Sequence, residues 1–180
     1  MTHLRVALCL LLLLSLFPGC LLVRITEQRV KLNDDGSGDA LMRLIDIRSD
    51  GVNDSLIVRD FGIMMASSER EGIDDFERTG RKVTSKQFVV RGDTLSAEIA
   101  YTFSSLTAIE GLHATKDELF VVVGEGREVT KTNGKVGVWD RNTTRIMWDR
   151  DAKRLMFQIR EKTLPPSTSL ASLYLNYKKP

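Results

Sequence analysis

Cysteine and histidine are scarce in this chain of 180 residues, which contains two of each. Cys9 lies inside an apolar N-terminal run and Cys20 stands at its end. So few cysteines exclude the disulfide framework on which many small secreted domains depend. His113 is the only histidine after the N-terminal run, and one histidine with no cysteine beside it does not provide the ligands of a zinc site.

Strong charge, long apolar segments and catalytic motifs are also missing. Twenty-six basic residues face 24 acidic ones, which leaves a net charge of +2 and predicts no nucleic-acid partner. No segment after the N-terminal run reaches the roughly 20 apolar residues that span a bilayer. The chain lacks a Ser/His/Asp order, a phosphate-binding loop and an HExxH motif. We therefore predict no enzymatic activity and no cofactor.

Residues 1–19 have the features of a secretory signal. Arg5 supplies a positive charge, and Val6–Phe17 forms an apolar run of about a dozen residues, the length of a signal-peptide core. Pro18 and Gly19 then end the run directly before Cys20.

The segment Leu16–Cys20 resembles the lipobox of bacterial lipoproteins. The resemblance implies cleavage between Gly19 and Cys20 and lipidation of Cys20. It also implies a lipid-anchored protein of the cell envelope, on the outer membrane facing the periplasm in a Gram-negative cell and on the outer face of the plasma membrane otherwise. A cleaved signal without lipid and an uncleaved signal anchor are the alternatives, since Leu21–Val23 extends the apolar run.

The domain organisation that follows is a signal peptide over residues 1–19, a lipidated anchor with a short tether over 20–24, and one domain over 25–180. Four turn signals divide the body of the chain, and apolar or β-branched segments flank each of them. These signals are Asn33–Gly38, Arg91–Thr94, Lys131–Gly134 and Asp149–Lys153.

The pattern predicts an α+β fold with an antiparallel, hairpin-rich sheet of about seven or eight strands and two or three helices on one face. Apolar spacing places the main helix from residue 54 onward. A bulge is expected near Glu27–Arg29, where the apolar alternation of the first strand slips. The segment Leu170–Tyr177 is expected to form a last edge strand.

The first turn, Asn33–Asp39, has the oxygen density of a calcium loop, which makes Asp34, Asp35 and Asp39 the candidate metal ligands. The glutamate that closes an EF-hand loop is missing, and the flanks are strands. A solvated hairpin turn is therefore the favoured interpretation, and no metal is predicted.

Two further features have both a structural and a functional interpretation. Trp139 and Trp148 either pack across neighbouring strands, the simpler account, or line the mouth of a ligand site. Met42, Met64, Met65 and Met147 either fill the core or soften a lipid-binding cavity.

A second resemblance rests on the segment after Cys20. A spacer, a strand, Asp35–Gly38 and a second strand, together with the later run Tyr101–Leu106, are similar to the LppM-like group of small bacterial lipoproteins. The resemblance implies an α+β fold and contact with lipid or glycolipid. Many members of that group end in a transmembrane helix, which this sequence does not contain.

The sequence therefore favours a non-catalytic envelope lipoprotein whose domain binds a lipid, a glycan or a protein partner. A structural accessory subunit of an envelope complex is the main alternative, and a hydrolase-type enzyme is third. An apolar cavity would favour the first hypothesis. An exposed apolar patch or edge strand would favour the second, and a cleft with converging carboxylates the third.

Overall fold

The computed structural model describes residues 20–179, so the predicted signal peptide and Gly19 lie outside the described residues. The described chain has an α+β fold with three α-helices and eleven strand segments. The strands are β1 Leu21–Leu32, β2 Gly38–Ser49, β3 Arg81–Arg91, β4 Thr94–Phe103, β5 Leu112–Ala114, β6 Glu118–Val123, β7 Arg127–Thr132, β8 Lys135–Val138, β9 Thr144–Asp149, β10 Arg154–Glu161 and β11 Thr168–Ser169. The helices are α1 Asp54–Ala66, α2 Arg70–Glu77 and α3 Ala171–Tyr177, with a 3-10 turn at Leu106–Ala108.

The strands form two antiparallel sheets. The large sheet has the order β3-β4-β2-β1-β10-β7, with β11 paired to β2, and the small sheet has the order β5-β6-β9-β8. The predicted α+β class with an antiparallel, hairpin-rich sheet is confirmed. The strand number exceeds the expected seven or eight because short segments such as β5 and β11 also pair.

Two of the predicted hairpins are confirmed. The β1–β2 turn has Gly36 at φ 81°, and the β3–β4 turn has Gly92 at φ 62°. Glycine adopts this left-handed conformation without the clash that a Cβ would cause. The local turn chemistry was therefore sufficient to predict these pairings.

The other two predicted hairpins, around Lys131–Gly134 and Asp149–Lys153, are wrong. β7 pairs with β10 in the large sheet, whereas β8 pairs with β9 in the small one. Asn133 fixes the crossing point, since its Oδ1 accepts hydrogen bonds from Trp148 Nε1 and the Met156 amide, both at 2.8 Å. A Cβ on Gly134 would lie 2.7 Å from the Trp148 ring, so this close approach requires glycine.

The predicted last strand over Leu170–Tyr177 is also wrong, because this segment contains helix α3. Leu170, Ala171 and Tyr174 are buried, a spacing that lies on one side of a helix. Tyr174 packs against Phe88 with ring centroids 5.2 Å apart. The short apolar run thus joins the core as a helix.

One face of the large sheet is covered by the helices and by the small sheet. Strand register places Val30, Ala40 and Tyr101 side by side, in a core cluster with Leu119 and Ile146 of the small sheet. The same register places Leu44, Ala97 and Phe88 further along this face, in a cluster with Met64 of α1 and Tyr174 of α3. The prediction that the helices lie on one face is confirmed.

The predicted bulge near Glu27–Arg29 is wrong, because β1 pairs with β2 and β10 in unbroken register through these residues. The alternation of buried residues changes instead at Asp46 on β2, whose φ of 61° lies in the left-handed region. The Asp46 carboxylate forms ion pairs with Arg24 at 2.9 Å and with Arg48 at 3.1 Å. Aspartate tolerates the left-handed region better than most residues.

Tyr101 gives this core a pH dependence that can be measured. Burial raises the pKa of the Tyr101 phenol above its ordinary value, and the hydrogen bond with Gln28 partly opposes the shift. The unfolded chain therefore loses this proton first, and the free energy of unfolding is expected to fall as the pH rises above about 10. Below that pH this group contributes no pH dependence.

Urea unfolding of the wild type, Tyr101→Phe and Tyr177→Phe at pH 8 and at higher pH checks this expectation. Tyr177 is 62% exposed and serves as the matched control. In Tyr101→Phe, the fall in the free energy of unfolding at alkaline pH is expected to be smaller. In Tyr177→Phe, it should be as large as in the wild type. An identical fall in all three proteins would contradict the assignment to Tyr101.

Candidate functional site

A cleft of about 690 Å³ lies between the large sheet and the small sheet. Thr26 and Gln28 of β1 lie on its floor, with Met42 and Leu44 of β2 on one side and Phe157 and Ile159 of β10 on the other. Register places these residues in one row of pairs on the covered face of the large sheet. The floor is therefore built from three central strands, with the polar residues Thr26 and Gln28 flanked by apolar residues of β2 and β10.

The small sheet and a loop complete the cleft. Gly111, Val121 and Val122 line its upper side, and the segment Thr163–Pro165 lines one end. Arg127 and Glu161 stand at the rim, where the Arg127 guanidinium donates to the Glu161 carboxylate at 2.7 Å. Such an arrangement of apolar walls and a few charged groups is typical of a site for an amphipathic small molecule.

The residues directly after Cys20 form part of the cleft wall. Leu21–Arg24 lines it, and these residues belong to β1. The sequence predicted a short tether over residues 20–24, and in the structure strand β1 begins inside that segment, with Leu21 paired to Ser49. A lipid on Cys20 would therefore hold the cleft close to the membrane surface with no flexible spacer.

Cys20 itself is exposed and has a free thiol. Its backbone N–H donates to a carboxylate oxygen of Asp50, and its carbonyl accepts from the Asp50 amide at 3.3 Å. An acylated amino group also keeps one N–H, so cleavage and acylation at this residue would preserve the donor.

A basic pocket of about 540 Å³ adjoins the cleft and shares Arg24, Glu161 and the Leu164–Pro165 segment with it. Arg48, Arg160 and Lys162 add three further positive charges to its lining. Three carboxylates, Asp46, Glu128 and Glu161, lie among these side chains and hold several of them in place.

The predicted metal candidates do not converge. Asp34 forms an ion pair with Lys153 at 2.5 Å, Asp35 accepts from the Ser37 amide at 3.0 Å, and Asp39 is exposed on β2. The hydrogen bonds from Ser37 lower the pKa of the Asp35 carboxyl. Within residues 20–179, no group of three or more metal-ligating side chains comes together.

The two tryptophans lie on opposite sides of the small sheet and do not pack on each other. Trp148 is buried with its ring 6.0 Å from that of Phe157, whereas Trp139 is half-exposed and stacks on Phe120 at 5.8 Å. Neither lines the cleft. Of the four methionines, Met42 does line it, and Met64 is part of the core under α1.

A ladder of polar side chains crosses the uncovered face of the large sheet, and no motif in the sequence indicated it. Register aligns five of them across β10, β1, β2, β4 and β3. They are Gln158, Glu27, Arg43, Glu98 and Gln87. Two neighbouring pairs lie within the β1–β2 and β3–β4 hairpins, but these hairpins and β10 are distant from one another in sequence, so only the sheet order reveals that all five residues meet.

Comparison of the chain with protein-family models, with curated proteins and with solved structures finds no match. No helix in the described part of the chain is long and apolar enough to cross a membrane.

Proposed function

We propose that this chain is a membrane-anchored envelope lipoprotein whose non-catalytic domain binds a lipid in the cleft between its two sheets. The observation that carries the proposal is the row of apolar side chains that β2 and β10 place along the floor of the cleft, together with the wall that Leu21–Arg24 forms directly after Cys20. The lipobox-like segment Leu16–Cys20 supports the anchor. The anchor and the cleft would then face the same membrane.

The physical basis is the burial of acyl-chain methylene groups. Each one removed from water contributes about 0.8 kcal/mol. A cleft of about 690 Å³ has the size of a small-molecule site, and its floor residues Met42, Leu44 and Ile159 present apolar surface. The adjoining basic pocket, with Arg48 and Lys162, would suit an anionic headgroup.

Filling the cleft should weaken the binding of an acyl chain. Thr26 lies on the floor, so Thr26→Trp is expected to weaken binding by at least about tenfold, because displacing two methylene groups already costs about 1.6 kcal/mol. The measurement is a fluorescence titration with parinaric acid, an 18-carbon fatty acid, on the full chain. All proteins carry Cys20→Ala, so that no acyl group of their own competes.

Thr84→Trp is the matched control, since Thr84 is exposed on β3 and does not line the cleft. The control is expected to bind the fatty acid like the parent. Equal binding by the Thr26 and Thr84 variants, or no saturable binding by the parent, would overturn the proposal. Circular dichroism shows whether each variant keeps its strand content.

A further inference from the structure

Strand β8 (Lys135–Val138) is a free edge of the small sheet. Within the described residues it pairs only with β9. The Trp139 amide donates to the Thr143 carbonyl at 3.0 Å, which continues the β8–β9 register by one more pair. Hydrogen-bonded pairs alternate along an antiparallel ladder. The backbone N–H and C=O groups of Val136 and Val138 therefore point away from β9.

The same edge exposes apolar side chains. Val136 is 54% exposed, Val138 is 86% exposed and Trp139 is 51% exposed. Trp139 is held in place by Phe120, which stacks on it, and by the Arg145 guanidinium 4.4 Å from its ring centroid. Natural proteins usually block a free edge with short strands, lysine, inward-pointing charges, proline or bulges. Strand β8 is short and begins with Lys135, but valine occupies both outward-bonding positions, so this part of the edge is open to another strand.

We infer that β8 pairs antiparallel with β8 of a second copy of this chain, which joins two four-stranded sheets into one. A two-fold axis at Gly137 satisfies the alternation of the hydrogen bonds, because it sets Val136 of each copy opposite Val138 of the other. Each of these two Val136–Val138 pairs forms two backbone hydrogen bonds, four in all. Their N–H and C=O groups have no partner strand in the single chain.

The side chains on either side of the axis favour this partner. Lys135 of one copy lies opposite Trp139 of the other, where an ammonium group and an aromatic face attract each other. Asp140, the next residue along, brings a carboxylate to the same end. Lys135 is free to move there, since its ion pair with Asp149 is long, at 3.8 Å, and both side chains are exposed.

Gly137 at the axis provides a direct test. Opposite residues at a non-hydrogen-bonded position have Cα atoms about 4.5 Å apart, which a disulfide can bridge. A Cβ at this position meets only the flexible end of Met147, at 3.0 Å. The full chain with Cys9→Ala, Cys20→Ala and Gly137→Cys is therefore expected to form a covalent dimer under mild oxidation with copper phenanthroline.

Gly62→Cys in the same background is the matched control, because Gly62 is exposed on α1 and far in sequence from β8. Adding Val138→Lys to the Gly137→Cys chain is expected to lower the dimer yield, since lysine at an outward-bonding position of an edge strand opposes pairing. Val138 does not line the cleft, so fatty-acid binding should not change. Equal cross-linking at residues 62 and 137, an undiminished yield with Val138→Lys, or adducts only with other proteins would overturn the inference.

Discussion

Replacement of Cys20 by alanine is expected to abolish acyl labelling of the chain and to move it out of the membrane fraction. Acyl chains on one residue supply membrane affinity of about 0.8 kcal/mol per buried methylene, and alanine offers no thiol for attachment. Because the label depends on that thiol, its loss should be close to complete.

Growth with a clickable palmitate analogue, followed by fractionation and in-gel fluorescence, measures both outcomes. Cys9→Ala is the matched control, because it removes the other cysteine but leaves the lipobox-like segment intact. The Cys9 variant should label and fractionate like the wild type. Label that persists on the Cys20→Ala chain would contradict lipidation at this residue.

The position of Cys20 beside β1 would link a lipid anchor at this residue to the cleft. Because Leu21 already pairs with Ser49, residues 20–24 cannot act as a flexible spacer. A lipidated Cys20 would place Leu22 and the cleft wall within a few ångströms of the headgroup layer. The proposed lipid site would then receive its ligand from the membrane to which the domain is attached.

Local signals in the sequence were enough to predict part of this fold. The turns at Gly36 and Gly92 require a left-handed residue between two alternating strands, and both hairpins formed as expected. Apolar spacing also predicted the start of α1 at residue 54, and the structure shows that Asn53 caps it, with its side chain accepting from the Leu56 amide at 3.0 Å. These features depend on residues that are close in the chain.

The transfer of the chain between sheets could not be predicted in this way. Asn133–Gly134 has the composition of a hairpin turn. Asn133, however, accepts hydrogen bonds from residues 15 or more positions away, and β7 and β8 belong to different sheets. The cleft was missed for the same reason. Its floor comes from three strands whose order is set by long-range pairing, and Met42 was the only floor residue singled out in advance.

The polar ladder on the uncovered face leads to the second large expected effect. Glu27 has a side chain only 7% exposed and accepts hydrogen bonds from Arg29 at 2.7 Å and Gln158 at 3.2 Å. Arg43 lies 3.5 Å from the same carboxylate and 2.9 Å from Glu98. Glu27 is therefore the central negative charge of a network that ties four strands together.

Glu27→Ala is expected to destabilise the fold by about 2–3 kcal/mol. Removing one member of a buried ion pair costs about 3–5 kcal/mol because the remaining charge is left without a partner. The partially exposed Arg29 and Arg43 side chains recover some hydration, which reduces the cost. The urea midpoint of the variant, compared with the wild type at neutral pH, measures this loss.

Glu128→Ala is the matched control for this experiment. Glu128 pairs with Arg160 near the surface, where both side chains are more than a third exposed, so its loss is expected to cost at most about 1 kcal/mol. A double variant with Glu27→Ala and Arg43→Met should recover part of the lost stability, since replacing both partners with apolar groups removes the unpaired charge. Equal urea midpoints for the Glu27 and Glu128 variants would show that the polar ladder is only a consequence of strand pairing and adds no stability to the fold.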